Sequence, residues 1–281
     1  IIECPRDAMQ GIKAFIPTQK KVQYIQSLLR VGFDTIDFGS FVSPKAIPQM
    51  ADTAKVLSQL DLSSTKSKLL AIVANTRGAV DASKHKEINY LGYPFSISEN
   101  FQMRNTHKTI AQSVVTLQEI LNIASKSNKE VVAYLSMGFG NPYGDPWNVE
   151  IVGEWTERLS NMGVKILSLS DTIGSSNPEN ISYLFSSLIP SYPDIEFGAH
   201  LHTTPSTWFE KVNAAYLAGC KRFDGAIQGF GGCPMAKDEL TGNMPTEKLL
   251  SYFTSKKNND LNALSFESAY NEATKLFSNY V

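Results

Sequence analysis

The chain has 281 residues, of which 42% are hydrophobic and 19% are charged, and its formal net charge is −1 at pH 7. This composition is that of a globular protein with a sizeable core, and the lack of a basic excess argues against a nucleic-acid partner. No stretch reaches the roughly 18 apolar residues of a membrane span, and the odd number of cysteines without zinc-type spacing indicates a reduced, intracellular compartment.

Strand-like and helix-like segments alternate along the whole chain. Apolar runs predict eight strands, which are, in chain order, Ile1–Cys4, Phe33–Phe38, Lys68–Ala74, Glu87–Leu91, Glu130–Leu135, Val164–Leu169, Ile195–His202 and Lys221–Ala226. Helical spacing predicts the intervening helices Thr18–Val31, Pro48–Leu60, Gly78–His85, Thr106–Ser127, Trp147–Met162, Pro178–Ile189 and Ser206–Ala218, followed by Thr246–Ser255 and Ser265–Tyr280. With no linker between them, eight such units predict one (β/α)₈ TIM barrel over residues 1–281, with the terminal helices packed on it.

Polar residues gather where the predicted strands end, which is the face that carries the active site in barrels of this kind. Asp7 follows the first strand, Asp37 ends the second and Asp171 follows the sixth. His200 and His202 end the seventh strand, and a glycine-rich loop with Cys233 and Asn243 follows the eighth. We therefore expect these side chains to surround one site.

The segment His200-Leu201-His202 is the strongest sign of a metal centre. Residues two apart on a strand point to the same side, so both imidazoles can reach one ion. A carboxylate at Asp7 would complete a mixed nitrogen and oxygen set that suits Mg²⁺ or Mn²⁺. The alternative for Arg6-Asp7 is a structural salt bridge at the barrel rim, and the alternative for the histidines is a buried, hydrogen-bonded pair.

The cysteines divide by their surroundings. Cys4 and Cys220 lie within predicted strands, where a cysteine packs as a small hydrophobic residue. Cys233 follows two glycines in the loop Gly229–Pro234, whose composition is typical of a mobile segment. The residues alone leave three alternatives for Cys233, which are a proton donor, a nucleophile and no chemical role.

Several of these motifs together resemble the signature of the 3-hydroxy-3-methylglutaryl-CoA lyase family. They are Arg6–Gln10, Ser40–Lys45, Asp171–Gly174, His200–His202, Gly231–Pro234 and Gly242–Glu247. The similarity runs along nearly the whole chain and keeps the order of the motifs. The arginine-aspartate pair and the HxH motif mark a larger group of metal-dependent Claisen-type enzymes, and the cysteine loop that ends in Gly242-Asn243 is more specific to the lyase.

The resemblance implies a role for each matching position. Asp7, His200, His202 and Asn243 match the metal ligands, Arg6 matches the arginine that stabilises an enolate oxygen, and Cys233 matches the catalytic cysteine. Asp37 stands where the lyase has a catalytic glutamate. Asp171 is expected to contribute to catalysis as well, and the residues expected to bind substrate at the same mouth are Gln10, Ser168 and Thr172.

The family reaction is a retro-Claisen cleavage that gives acetyl-CoA and acetoacetate. A base must take the proton of a tertiary hydroxyl, and Asp171 or one of the histidines is expected to do so. Arg6 would face the enolate oxygen of the departing thioester. Cys233 would protonate the enolate carbon once its loop has closed over the substrate.

The chain departs from the family pattern at four places. Ala8 replaces a glycine, Asp37 replaces the glutamate, Thr203 replaces an aspartate, and Lys237–Thr241 replaces a smaller stretch. These departures therefore leave open whether the chain acts on the family substrate or on a different one. The alternatives are a condensing enzyme similar to isopropylmalate or homocitrate synthase, a CoA-independent aldolase of the same group, and a barrel that keeps the metal without catalysis.

The resemblance and the composition together set the expected partners. We expect a CoA-thioester substrate, no nucleic acid, no membrane and a homodimer as the oligomeric state. A bacterial chain of this kind is expected in the cytoplasm. Because the sequence begins at Ile1 and not at Met, a removed targeting segment stays open.

Overall fold

A computed structural model describes residues 1–232, 241–256 and 261–280. Eight parallel strands close into a barrel, because β1 pairs with its successor and also with the last strand of the series. The barrel strands are β1 (Ile2–Glu3), β2 (Thr35–Ser40), β3 (Lys68–Ile72), β4 (Ile88–Ser96), β5 (Glu130–Ser136), β6 (Ile166–Ser170), β7 (Glu196–His200) and β9 (Arg222–Gly225). Two short strands, β8 (His202–Thr203) and β10 (Gly242–Asn243), pair antiparallel outside the barrel. The predicted (β/α)₈ architecture is confirmed.

The helices that cover the barrel follow the predicted order. They are α1 (Pro5–Gln10), α2 (Thr18–Leu29), α3 (Thr53–Leu57), α4 (Thr76–Ser83), α5 (Glu99–Thr106), α6 (Ile110–Lys126), α7 (Val149–Asn161), α8 (Pro178–Ser191), α9 (Trp208–Leu217), α10 (Thr246–Ser255) and α11 (Ala263–Tyr280). Short 3₁₀ turns occupy Pro48–Met50 and Ile227–Gly229. Among the described helices, none combines the length and the apolar composition that crossing a membrane requires.

The helix predicted over Thr106–Ser127 begins too early, because α6 starts at Ile110 and a separate helix, α5, precedes it. His107 takes a left-handed conformation with φ 56° and ends α5. Thr109 then starts α6 with a reciprocal cap, in which its side chain accepts from Gln112 N–H and its own N–H donates to the Gln112 side chain. Such a capping box satisfies two otherwise free N–H groups, which is why the helix begins there.

Strand β3 shows how the barrel buries both faces of its sheet. Leu70 and Ile72 point into the barrel, where they pack with other interior side chains. Leu69 and Ala71 point outward and belong to the larger core beneath the helices. A parallel strand covered on both faces is apolar along its length, which explains the continuous apolar run Leu69–Ala74 in the sequence.

The C-terminal helix α11 packs on the barrel layer through part of its apolar face. Phe277 is buried and contacts Tyr24 edge to face, with ring centroids 5.9 Å apart. Phe277 also stacks on Phe230, with centroids 4.1 Å apart. Leu264, near the start of α11, is 80% exposed.

Glu3 is a fully buried carboxylate that ties β1 to the end of the barrel. It accepts hydrogen bonds from Ile227 N–H, at 3.0 Å, and from the hydroxyl of Thr246. Burial raises the pKa of Glu3 from its ordinary value near 4.5 to about 8, against the pull of these two donors. Between these values the folded chain holds a proton that the unfolded chain has lost, so stability falls as the pH rises toward 8.

We expect Glu3→Gln to flatten this dependence, because glutamine keeps the acceptor for Ile227 and carries no charge to bury. At pH 8.5 the variant should be more stable than the wild type by about 1–3 kcal/mol, the cost that mutational data give for burying a poorly satisfied polar group. At pH 5 the two should unfold at similar temperatures. Thermal unfolding measured across pH 5–9 checks this, and parallel curves for the two proteins would contradict it.

Candidate metal centre

A cavity of about 370 Å³ opens at the carboxyl ends of the barrel strands. Its polar lining includes Arg6, Asp7, Gln10, Thr172, His200 and His202. These residues come from α1, from the segment after β6 and from the end of β7 and start of β8. The predicted position of the site, at this face of the barrel, is therefore where the structure has its cavity.

Asp7, His200 and His202 meet although almost two hundred residues separate the first from the other two. One carboxylate oxygen and one ring nitrogen from each histidine all lie within 4.8 Å of one another. Nε2 of His200 is 4.0 Å from Oδ2 of Asp7. The three side chains therefore surround one point, as the ligands of a single ion do.

Each histidine has a nitrogen suited to a cation. Nδ1 of His200 is 3.0 Å from Oδ2 of Asp224, and this contact directs Nε2 toward Asp7. Burial and the neighbouring His200 lower the pKa of His202 to about 4, so its ring is neutral at pH 7 and keeps a lone pair. In the described part of the chain, Nδ1 of His202 is buried without a hydrogen-bond partner. An orphaned buried nitrogen beside a carboxylate fits a centre that receives a divalent cation.

Asn243 lies beside this group. Its side-chain N–H₂ donates to Oδ2 of Asp7, at 2.7 Å, and to the backbone oxygen of Phe230, at 2.8 Å. Both amide donors are thus used, and Oδ1 is the atom left to act as a ligand. Gly231 makes this arrangement possible, because a Cβ there would lie 2.6 Å from the backbone oxygen of Asp7.

A second group of possible ligands, formed by Cys4, His200 and Asp224, shares one histidine with the first. Burial raises the pKa of the Cys4 thiol well above its ordinary value, so the thiolate that a metal needs is disfavoured. Asp224 is already occupied by Nδ1 of His200. We therefore assign Asp224 to the support of His200 and not to a separate site.

Arg6 is held between two carboxylates at the edge of the cavity. Its Nη1 donates to Asp7, at 2.8 Å, and its Nε donates to Asp37, at 3.0 Å. Burial raises the pKa of Asp37 to about 6 against the opposing charge of Arg6, which leaves Asp37 ionised at neutral pH. Asp37 is fully buried, does not line the cavity and holds Arg6, and its expected catalytic role stays a prediction.

Asp171 is held by hydrogen bonds and an ion pair within the protein. Its Oδ2 is 3.0 Å from Nζ of Lys211, and its Oδ1 accepts from the backbone N–H of Ser176, also at 3.0 Å. The residue is buried and absent from the cavity lining. Its carboxylate is paired with an ammonium group, and the expectation that Asp171 takes a proton from substrate stays a prediction.

The three expected substrate-binding residues divide. Gln10 and Thr172 line the cavity, and Gln10 donates to Oδ1 of Asp7 at 2.7 Å. Ser168 does not: it is fully buried and points into the barrel beside Gly198, and its expected contact with substrate stays a prediction. Cys233 lies outside the described residues.

Two residues of the site were missed from the sequence. Asp224 is an acidic residue within a buried strand, and Lys211 is a lysine on the buried face of α9. Charged residues are rarely buried unless they are paired, so their positions in apolar patterns were a usable signal. The partners of these two residues could not be identified from the sequence.

The chain was compared with known proteins. The HMGL-like family model matches residues 3–271. The hydroxymethylglutaryl-CoA lyase of Bacillus subtilis is 34% identical over 246 residues, which are 88% of this chain and 81% of that protein. The solved HMG-CoA lyase structure from Bacillus subtilis has a TM-score of 0.91 and 32% identity, covering 98% of this chain and 93% of that one.

A further similar structure is the HMG-CoA lyase of Acinetobacter baumannii, solved in complex with coenzyme A and 3-methylmalate. Its TM-score is 0.89 at 28% identity, over 99% of this chain and 90% of that one. The similarity thus extends over the whole barrel and includes the strand ends that form the cavity.

Proposed function

We propose a reaction for this chain from one premise: the chain belongs to the HMGL-like family. The proposed reaction is the divalent-metal-dependent cleavage of 3-hydroxy-3-methylglutaryl-CoA to acetyl-CoA and acetoacetate. The observation that carries the proposal is the grouping of Asp7, His200 and His202 beside Arg6 in one cavity. A ligand set for a cation and a fixed positive charge are what this cleavage needs.

The proposed cation ligands are Asp7, His200, His202 and Asn243. Their mixed carboxylate, imidazole and amide donors suit Mg²⁺ or Mn²⁺. When bound, such an ion polarises the oxygens of the substrate and lowers the pKa of its tertiary hydroxyl. Gln10 and Arg6 both donate to Oδ1 of Asp7 and so fix the carboxylate in place before any ion binds.

Arg6 supports the bond cleavage itself. When the bond between C2 and C3 of the acyl group breaks, the electron pair moves to the thioester enolate and its oxygen becomes negative. Asp37 and Asp7 hold the guanidinium from two sides, so its charge is in place without reorganisation. We propose that Arg6 faces this developing charge.

Two proton transfers complete the reaction. The tertiary hydroxyl loses its proton as the ketone of acetoacetate forms, and Asp171 stays the proposed base, because the lone pair that His200 and His202 would each give to the cation cannot also take a proton. The enolate then gains a proton at C2, and we propose the thiol of Cys233 as its source. Gly232, the residue before Cys233, lines the cavity.

A turnover assay tests the proposal. The purified chain is incubated with Mg²⁺ or Mn²⁺ and 3-hydroxy-3-methylglutaryl-CoA, and acetoacetate and acetyl-CoA are quantified. We expect both products in equal amounts, and none after treatment with a chelator. Release of free thiol from acetyl-CoA and a 2-oxo acid, without cleavage of the first substrate, would instead favour a condensing enzyme.

Cys233→Ser should separate proton transfer from metal binding. Because a serine hydroxyl is a much weaker acid, we expect kcat to fall by about 10²–10⁴-fold, the usual contribution of general acid–base catalysis. Mn²⁺ affinity should stay within about twofold of the wild type, because the substitution changes none of the four proposed ligands. Cys220→Ala, which removes a buried free thiol elsewhere, is the control and should keep its activity. Full activity in Cys233→Ser would remove Cys233 from the mechanism.

We also propose that the chain acts on a CoA thioester and in a reducing compartment. Coenzyme A occupies the similar lyase from Acinetobacter baumannii, which supports a CoA thioester here. Cys4 and Cys220 are both free thiols, and this agrees with a reducing compartment such as the cytoplasm.

A further inference from the structure

Lys211 joins two segments that carry the candidate metal centre. Its Nζ donates to the backbone oxygen of His202, at 2.8 Å, and to Oδ2 of Asp171, at 3.0 Å. The carboxylate of Asp171 accepts from the backbone N–H of Ser176. The backbone N–H of Asp171 donates to the backbone oxygen of His200, at 2.9 Å. The buried ammonium group therefore lies between the loop after β6 and the segment that holds both histidines.

The segment that Lys211 contacts has little other support from the sheet. Strand β8 has only two residues, and it pairs with the equally short β10 instead of a barrel strand. The register of that pair places Asn243 opposite His202. A contact that fixes the backbone of His202 therefore fixes Asn243 as well.

Stability alone does not account for a buried lysine at this place. Removing an ammonium group from water is costly, and a buried ion pair often adds no more stability than well-packed apolar residues would. An apolar side chain could cover the buried face of α9, but it could not donate to the oxygen of His202. The ammonium group of Lys211 is directed at the backbone oxygen of His202, a candidate ligand.

We propose that Lys211 is a positioning residue of the metal centre: it holds His202 and, through strand pairing, Asn243 in the arrangement that receives the cation. The proposal rests on the metal site of the proposed function and adds a residue that acts through the ligands without touching the ion. Groups that orient metal ligands typically contribute about 10–100-fold to metal affinity.

The test is Mn²⁺ binding to the complete chain without substrate, measured by the loss of the free-ion paramagnetic resonance signal. For Lys211→Met we expect the dissociation constant to rise about 10–100-fold. Charge alone predicts the opposite sign, because removing a nearby ammonium group should favour a cation. Tighter or unchanged binding in Lys211→Met would therefore overturn the proposal.

Lys129→Met is the matched control. Lys129 is also buried, and its Nζ donates to two backbone oxygens, those of His85 and Ile88. These acceptors precede and begin β4, so they lie at the end of the barrel opposite the cavity. We expect Lys129→Met to lose stability and to keep the Mn²⁺ affinity of the wild type. An equal loss of affinity in the two variants would show a general effect of destabilisation and contradict the proposal.

A double variant separates positioning from stability and guards against misfolding. Lys211→Met leaves the carboxylate of Asp171 buried without its partner, whereas Lys211→Met with Asp171→Asn removes both charges. We expect the double variant to regain most of the lost unfolding temperature but not the lost Mn²⁺ affinity, because His202 still lacks its donor. Recovery of both would refute the positioning role. A wild-type chain that binds no Mn²⁺ would refute the proposed metal site, and the role of Lys211 with it.

Discussion

His202→Ala is expected to weaken Mn²⁺ binding by at least about 100-fold, because it removes a proposed ligand. Loss of a residue that only orients a ligand typically weakens metal binding by about 10–100-fold. Turnover at a fixed, low Mn²⁺ concentration should be lost to the same degree. The geometry behind this expectation is the group of Asp7, His200 and His202, whose candidate ligand atoms all lie within 4.8 Å of one another. Calorimetric titration of Mn²⁺ into the chain without substrate is the direct measurement.

His85→Ala is the control for the loss of an imidazole. His85 packs on Phe41, with ring centroids 5.5 Å apart, and belongs neither to the ligand group nor to the cavity lining. Its Mn²⁺ affinity should equal that of the wild type. Unchanged metal content in His202→Ala would remove His202 from the ligand set, and the proposed ligand group would then be incomplete.

The architecture and the grouping of Asp7, His200 and His202 could be predicted from the sequence because both follow from local rules. Alternating strands and helices fix the order of a barrel, and the ends of its parallel strands share one face. The spacing of His200 and His202 predicted that both rings reach one point, and the position of Asp7 after the first strand placed it at the same face. Their meeting in one cavity needed no knowledge of side-chain packing.

The roles of the other charged residues depend on partners that lie far away in the chain. Asp37 is paired with Arg6, 31 positions before it, and Asp171 is paired with Lys211, 40 positions after it. The sequence shows that a carboxylate lies near the mouth, but only packing decides whether it is free to accept a proton.

Ser168 shows a second limit, which is depth within the barrel. It lies on β6, and its register partner Gly198 on β7 has no side chain. The hydroxyl of Ser168 points into the space beside Gly198, next to the side chain of Arg222. Strand periodicity predicts the inward face correctly, but it does not say which inward layer reaches the cavity.

Arg6→Met is expected to lower kcat by about 10²–10³-fold, the loss that follows removal of one preorganised donor to an oxyanion. Mn²⁺ affinity should not fall, because Gln10 and Asn243 still hold the two oxygens of the Asp7 carboxylate, and removal of the guanidinium leaves that carboxylate with more charge for the ion. The steady-state rate and the Mn²⁺ titration, measured on the same preparation, check both parts. A parallel loss of metal and rate would mean that Arg6 acts through Asp7 and not on the enolate.

Arg6→Lys decides whether charge alone is enough. An ammonium group at this position would keep the positive charge, but it cannot bond to Asp37 through two nitrogens while it also donates to Asp7, as the guanidinium does. If the fixed direction of the donors stabilises the enolate, Arg6→Lys should recover less than about a tenth of the lost rate, since electrostatic stabilisation of this kind depends on donors aimed in advance. A lysine variant with near wild-type kcat would show that the two carboxylates that hold Arg6 serve folding rather than catalysis.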